Sequence, residues 1–304
     1  MRFNPKARLN TRRMGDSGRS GARGGGSGGS GLPIPGGVAA GGGGIGLVIV
    51  VIIVAINLFT GGGSSGAGYD TSRMSETGRY EHCKTGEDAN KDVDCARVAV
   101  ENSLYDYWSD TLPEFEPEEK VQTFTDGVGT GCGNASSAVG PFYCPVDRTI
   151  YLDTTFFDDV LERQLGGPDG GFVEPYVLAH EYGHHIQNLL GAMGRVKTQQ
   201  GPESDAVRLE LQADCYAGMW ARAATTTEDE DGNVLITQLT QEDIQQAIEA
   251  ADAVGDDRIQ QRSGGGVDPD SFTHGSAAQR VKWFRVGYEN RSLRDCDTFA
   301  ASSL

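Results

Sequence analysis

Downstream of residue 76 the chain alternates between apolar stripes at helical spacing and short β-branched runs. Residues 92–109 place Val93, Ala96, Val100, Leu104 and Trp108 three to four apart, which is one face of a helix. The runs VQTFT at 121–125 and TIYLDTTFF at 149–157 have strand character, the second more strongly. A short helix is predicted from Phe157, and longer ones over 174–190 and 203–224. A further helix starts at Thr240, with Asp243 placed to complete a capping box, and a last one spans 276–290. The pattern predicts an α+β domain over residues 76–304, mostly helical with a small sheet.

Upstream the pattern dissolves. Residues 1–36 are largely Gly, Ser and Pro, with seven basic residues and one acid, Asp16, and read as a disordered tail. Residues 37–60 carry no charge, and 45–59 form a continuous apolar run, so one transmembrane helix is expected there. The basic residues precede it. The positive-inside rule then puts the tail in the cytoplasm and the domain outside the cell membrane, anchored by a single pass. Residues 61–75 read as a flexible linker.

The net charge is −17, and the basic tail means that the remainder is more acidic still. That balance argues against nucleic acid as a partner. Six cysteines, Cys83, Cys95, Cys132, Cys144, Cys215 and Cys296, all follow the apolar run. An even number in an exported domain suggests disulfides. The simplest connectivity is 83/95, 132/144 and 215/296, among the many that six cysteines allow.

Candidate chemistry concentrates in HEYGHHIQ, residues 180–187. His180 and His184 are four apart, so on a helix their rings share one face and can hold one Zn²⁺, with Glu181 placed as general base toward water. Leu190 stands where three-histidine zinc peptidases carry their third ligand, and Gln187 where they need glycine, which excludes that class. A carboxylate from ELQAD is the alternative: Glu210 as third ligand, and Asp214 accepting from the far nitrogen of His180. The apolar neighbours of these acids argue against an exposed acidic face. Cys215 as a thiolate ligand is disfavoured by its prospective partner Cys296. His185 points away from the shared face and is expected to pack or hydrogen-bond. His274, in a loop before the last helix, is a candidate oxyanion donor or a helix-cap histidine. Arg280 is open between a site carboxylate and a surface acid.

With HEYGHH and ELQADCYAG, and with GPFYCPVDRTIYLD, GDDRIQ and FTHGSAAQRVKWFRVGY, residues 76–298 resemble the bacterial putative neutral zinc metallopeptidases. The resemblance implies a zincin-type fold of the gluzincin kind, with His180, His184 and Glu210 on zinc and Glu181 as catalytic base. It also implies that TIYLD borders the cleft, where an extended peptide substrate would add to its edge. The expected activity is zinc-dependent endopeptidase hydrolysis. The alternative is a zinc-stabilised envelope scaffold without turnover.

Overall fold

The computed structural model describes residues 1–19 and 76–304, apart from Asp169. In chain order the elements are β1 (Arg2–Phe3), β2 (Met14–Arg19), α1 (Gly86–Ala89), α2 (Val93–Thr111), β3 (Lys120–Thr125), β4 (Gly127–Thr130), β5 (Gly133–Ser136), β6 (Phe142–Cys144) and β7 (Thr149–Asp153). A single π-helical turn, Phe157–Glu162, stands where the short helix was expected. Then come α3 (Val173–Leu189), α4 (Asp205–Ala223), β8 (Ile236–Gln238), α5 (Gln241–Ala253), α6 (Asp256–Arg262) and α7 (Ala277–Asn290). The mixture of helices and small sheets agrees with the α+β expectation.

Local chemistry explains where these helices begin. Asp92 caps α2 by accepting from the Asp94 amide, and Ser204 caps α4 by accepting from Val207. Thr240 with Asp243, and Ser276 with Gln279, close reciprocal capping boxes on α5 and α7. The stripe on α2 is buried at Val100, Leu104 and Trp108, but Val93 at its first turn is 65% exposed.

The main sheet has the order β2-β3-β7-β6, with β2, β3 and β7 parallel and β6 antiparallel to β7. All five residues of β7, TIYLD, are buried. β3 pairs along the whole of β7 and β6 along Thr149–Tyr151, so over those three residues β7 has no free edge for a peptide to join, against the expectation. The sequence shows a strand's apolarity but not its neighbours, and a strand buried on both faces is usually interior.

Two further corrections concern the N-terminus. Residues 1–19, expected within a disordered cytoplasmic tail, belong to the domain. β1 pairs with β8 and β2 with β3, and Phe3, Ala7 and Met14 enter the core. Two asparagine side chains bind this segment as a neighbouring strand would. Asn90 donates to the Phe3 carbonyl at 2.9 Å and accepts its amide at 3.0 Å, and Asn102 does the same for Asn10 at 2.8 and 2.7 Å. The transmembrane stretch 37–60, with 20–36 and 61–75, lies outside the described residues. Among the described residues no helix is long and apolar enough to cross a membrane. The expected single-pass arrangement is overturned by the β2–β3 pairing, since one crossing between residues 19 and 76 would set those strands on opposite faces of a membrane.

The same segment delivers a cation to the interior. The Arg13 Nε donates to Glu101 at 2.6 Å and lies 3.5 Å from Glu118, and both carboxyls are fully shielded. Burial, and then the proximity of Glu101, pushes the Glu118 carboxyl well above the usual carboxylate range. Arg13 therefore compensates the charge on Glu101. Arg13→Met is expected to cost ~3–5 kcal/mol, because it strands a buried carboxylate. Urea unfolding at neutral pH, with the disulfides intact, measures this.

Helices α3, α4 and α7 pack in succession beside the sheet. Their approach is unusually close, and glycines permit it. A Cβ on Gly183 of α3 would press on the Ala213 backbone at 3.1 Å, and one on Gly287 of α7 would run into the Cys215 carbonyl. The first contact sets HEYGHH against ELQAD, and the second sets α7 against a different face of α4, since Ala213 and Cys215 are two residues apart on the helix. All three disulfides have the expected pairing, Cys83–Cys95, Cys132–Cys144 and Cys215–Cys296, and the last staples α4 to the C-terminal segment.

Candidate metal centre

His180 and His184 project one turn apart from α3, with ring centroids 4.8 Å apart. Glu210 projects from α4 between them, its Oε2 lying 3.2 Å from His180 Nε2 and its Oε1 3.4 Å from His184 Nε2. One ligand atom from each residue lies within 4.8 Å of the others, and all three residues are buried. Burial opposes ionisation of Glu210, but His184 and His180 overcome it and hold the carboxyl down at about 2. Among the described residues its Oε1 nevertheless has no hydrogen-bond partner, an expensive state for a buried oxygen.

The far sides of both rings are occupied. His180 Nδ1 lies 2.8 Å from Asp214 Oδ1, and His184 Nδ1 lies 2.8 Å from Gln187 Oε1. Asp214 also accepts from the Tyr176 hydroxyl at 2.6 Å and from Arg280 through Nε at 2.8 Å and Nη2 at 2.9 Å. The structure thus places Arg280 on a site carboxylate. Burial opposes charge on His180, yet Asp214 outweighs it and raises the ring to about 10. Both imidazoles therefore present Nε2 to Glu210. Two such nitrogens and a carboxylate, converging with one orphaned oxygen, fit a tetrahedral zinc with one position left open.

Glu181 is buried beside this group and has no hydrogen-bond partner among the described residues. Burial pushes its carboxyl above the usual range, while His184 and His180 hold it back. His274 is close enough for its charge to act on Glu210. Its Nδ1 lies 2.9 Å from Thr273 Oγ1 and 3.3 Å from Asp256 Oδ1. Asp256 is itself fixed by the backbone amides of Thr273, His274 and Gly275, at 2.7, 2.7 and 3.0 Å. His185 packs elsewhere, between the Tyr143 hydroxyl and the Glu116 carbonyl. A second grouping, His82 with Cys83 and Cys95, offers no thiolate because the two sulfurs are bonded to each other.

Sequence reading missed Tyr176, Asp256 and the positive role of Gln187. Tyr176 carried a usable signal, since it sits four residues before His180 on the same helical face. Asp256 lies in GDDRIQ, a stretch that carried the resemblance but no role, because its partners lie across a loop.

The sequence matches the family described as "Putative neutral zinc metallopeptidase" over residues 6–299. The chain belongs to this family. The match begins within the N-terminal segment that the fold incorporates. An uncharacterized protein of Mycobacterium tuberculosis is 54% identical over 224 residues, covering 73% of this chain and 76% of that protein. An uncharacterized protein of Mycobacterium bovis is similar to the same extent, 54% over 224 residues. The uncharacterized protein YpfJ of Escherichia coli is 43% identical over 191 residues, covering 61% of this chain and 63% of its own length. No solved structure matches. Membership in the family implies zinc and a peptide or protein substrate.

Proposed function

We propose that this chain is a zinc-dependent peptidase, with His180, His184 and Glu210 holding the metal and Glu181 carrying the proton. The observation that supports it most is the convergence of three buried ligand atoms on an orphaned Glu210 oxygen. Zinc bound there supplies a Lewis acid for the substrate carbonyl and makes water acidic near neutral pH.

The chain's own residues account for the remaining chemistry. Glu181 takes a proton from the attacking water and delivers it to the leaving amine. With no other hydrogen bond among the described residues, it is available for both transfers. Asp214 and Gln187 hold the far nitrogens of the two histidines, so that Nε2 faces inward. Arg280 offsets the Asp214 charge. His274, with Nδ1 turned to Asp256 and Thr273, has Nε2 left to donate to the oxygen that gains charge during attack. A scaffold without turnover would not need an unengaged acid beside the ligands.

The test uses the full chain. About one zinc per chain is expected, with cleavage of an unfolded protein substrate that stops on chelation and returns when zinc is restored. Cleavage that survives complete zinc removal, or a chain that takes up no zinc, refutes the reading.

A further inference from the structure

The two histidines are held from behind by different chemistry. His180 meets a carboxylate, whereas His184 meets a carboxamide, Gln187. A carboxamide can offer either an oxygen or an NH₂, so its orientation decides what the ring must do. Here the orientation is forced. The Gln187 Nε2 lies 2.6 Å from the Leu209 carbonyl, which can only accept, and 3.2 Å from Gln212 Oε1. The Gln212 amide is forced in the same way, because its Nε2 donates to the Cys296 carbonyl at 3.0 Å. Two main-chain oxygens thus set both amides. Gln187 is left with only its oxygen for His184, so His184 Nδ1 carries the proton. The lone pair then falls on Nε2, the nitrogen facing Glu210. Gln187 and Gln212 are both buried, so water does not compete for these positions.

We propose that Gln187 is a positioning residue for the metal, which locks His184 in the Nδ1–H tautomer and, through Gln212, anchors that tautomer to the main chain at Cys296. The inference rests on the zinc reading above. It also gives the Gln187 side chain a second task. By gripping the carbonyl of Leu209, the residue before Glu210, it sets the spacing between the second and third ligands. The support behind His184 is neutral and needs no compensating cation, unlike that behind His180.

Gln187→Met keeps the length of the side chain and removes both the acceptor and the donor. Zinc affinity, measured by competition with a chromophoric chelator, is expected to fall by about 10–100-fold. The absorption of the cobalt-substituted protein is expected to shift as His184 loses its fixed orientation. A folded Gln187→Met variant that binds zinc within about twofold of the unmodified protein overturns the proposal. A measurement without any variant guards against misfolding. In the unmodified zinc-loaded protein, long-range ¹H–¹⁵N spectra of His184 are expected to show the proton on Nδ1 and the metal on Nε2. Bound zinc with the His184 proton on Nε2 overturns this assignment alone. Unmodified protein that binds no zinc overturns the metal reading, and this assignment with it.

Discussion

Glu181→Gln is expected to lower kcat/KM for peptide cleavage by about 10²–10⁴-fold while zinc remains stoichiometric. The two effects separate because Glu181 is not among the three residues whose ligand atoms converge. The amide keeps the size of the side chain but cannot accept a proton at any useful pH. It should also disturb the fold little, since Glu181 has no partner to lose among the described residues. The loss should appear in kcat more than in KM, because the proton moves only during attack and departure. Cleavage at the unmodified rate in a zinc-loaded Glu181→Gln chain would sink the mechanism. Loss of zinc along with activity would instead place Glu181 among the residues that support the metal.

The convergence at the centre was legible because helical geometry translates spacing into position. Pairs four apart, His180/His184 and Glu210/Asp214, needed only to be helical and to face one another. The cue that they do is the run of small residues around both pairs, Gly183 and Ala213 above all. Arg280 was undecided from sequence because its partner lies on another helix, and only the α4–α7 crossing selects Asp214. Gln187 was read only for what it excludes. Its contribution depends on two main-chain oxygens whose positions no local pattern reveals.

The N-terminus was misread for a different reason. Residues 1–19 have too few apolar side chains to build a core, and composition correctly says so. They fold by completing one that exists elsewhere. Phe3, Ala7 and Met14 enter that core, and the backbone pairs with β3 and β8, which requires no particular sequence. The acid that Arg13 meets, Glu101, lies on α2, so one of the basic residues that suggested a cytoplasmic flank is an internal counter-ion. A positive-inside argument counts charges without asking whether they are already paired.

Asp214 separates electrostatic from positional support, since it does both. Asp214→Leu removes the acceptor behind His180 and strands the Arg280 guanidinium, which is buried against it. The expected cost is ~3–5 kcal/mol in the unfolding of the metal-free, disulfide-intact chain. Zinc affinity should fall by about 10–100-fold as the His180 ring loses its fixed tautomer. Adding Arg280→Met to that variant removes the stranded charge. Most of the stability should then return, because a buried ion pair replaced as a unit by apolar side chains costs little. Zinc affinity should stay low, because nothing then accepts from His180 Nδ1. If the double variant recovers both stability and affinity, Asp214 serves only to neutralise Arg280, and the tautomer of His180 is set without it. If it recovers stability alone, the carboxylate holds the imidazole and Arg280 is the cation that makes a buried carboxylate tolerable there.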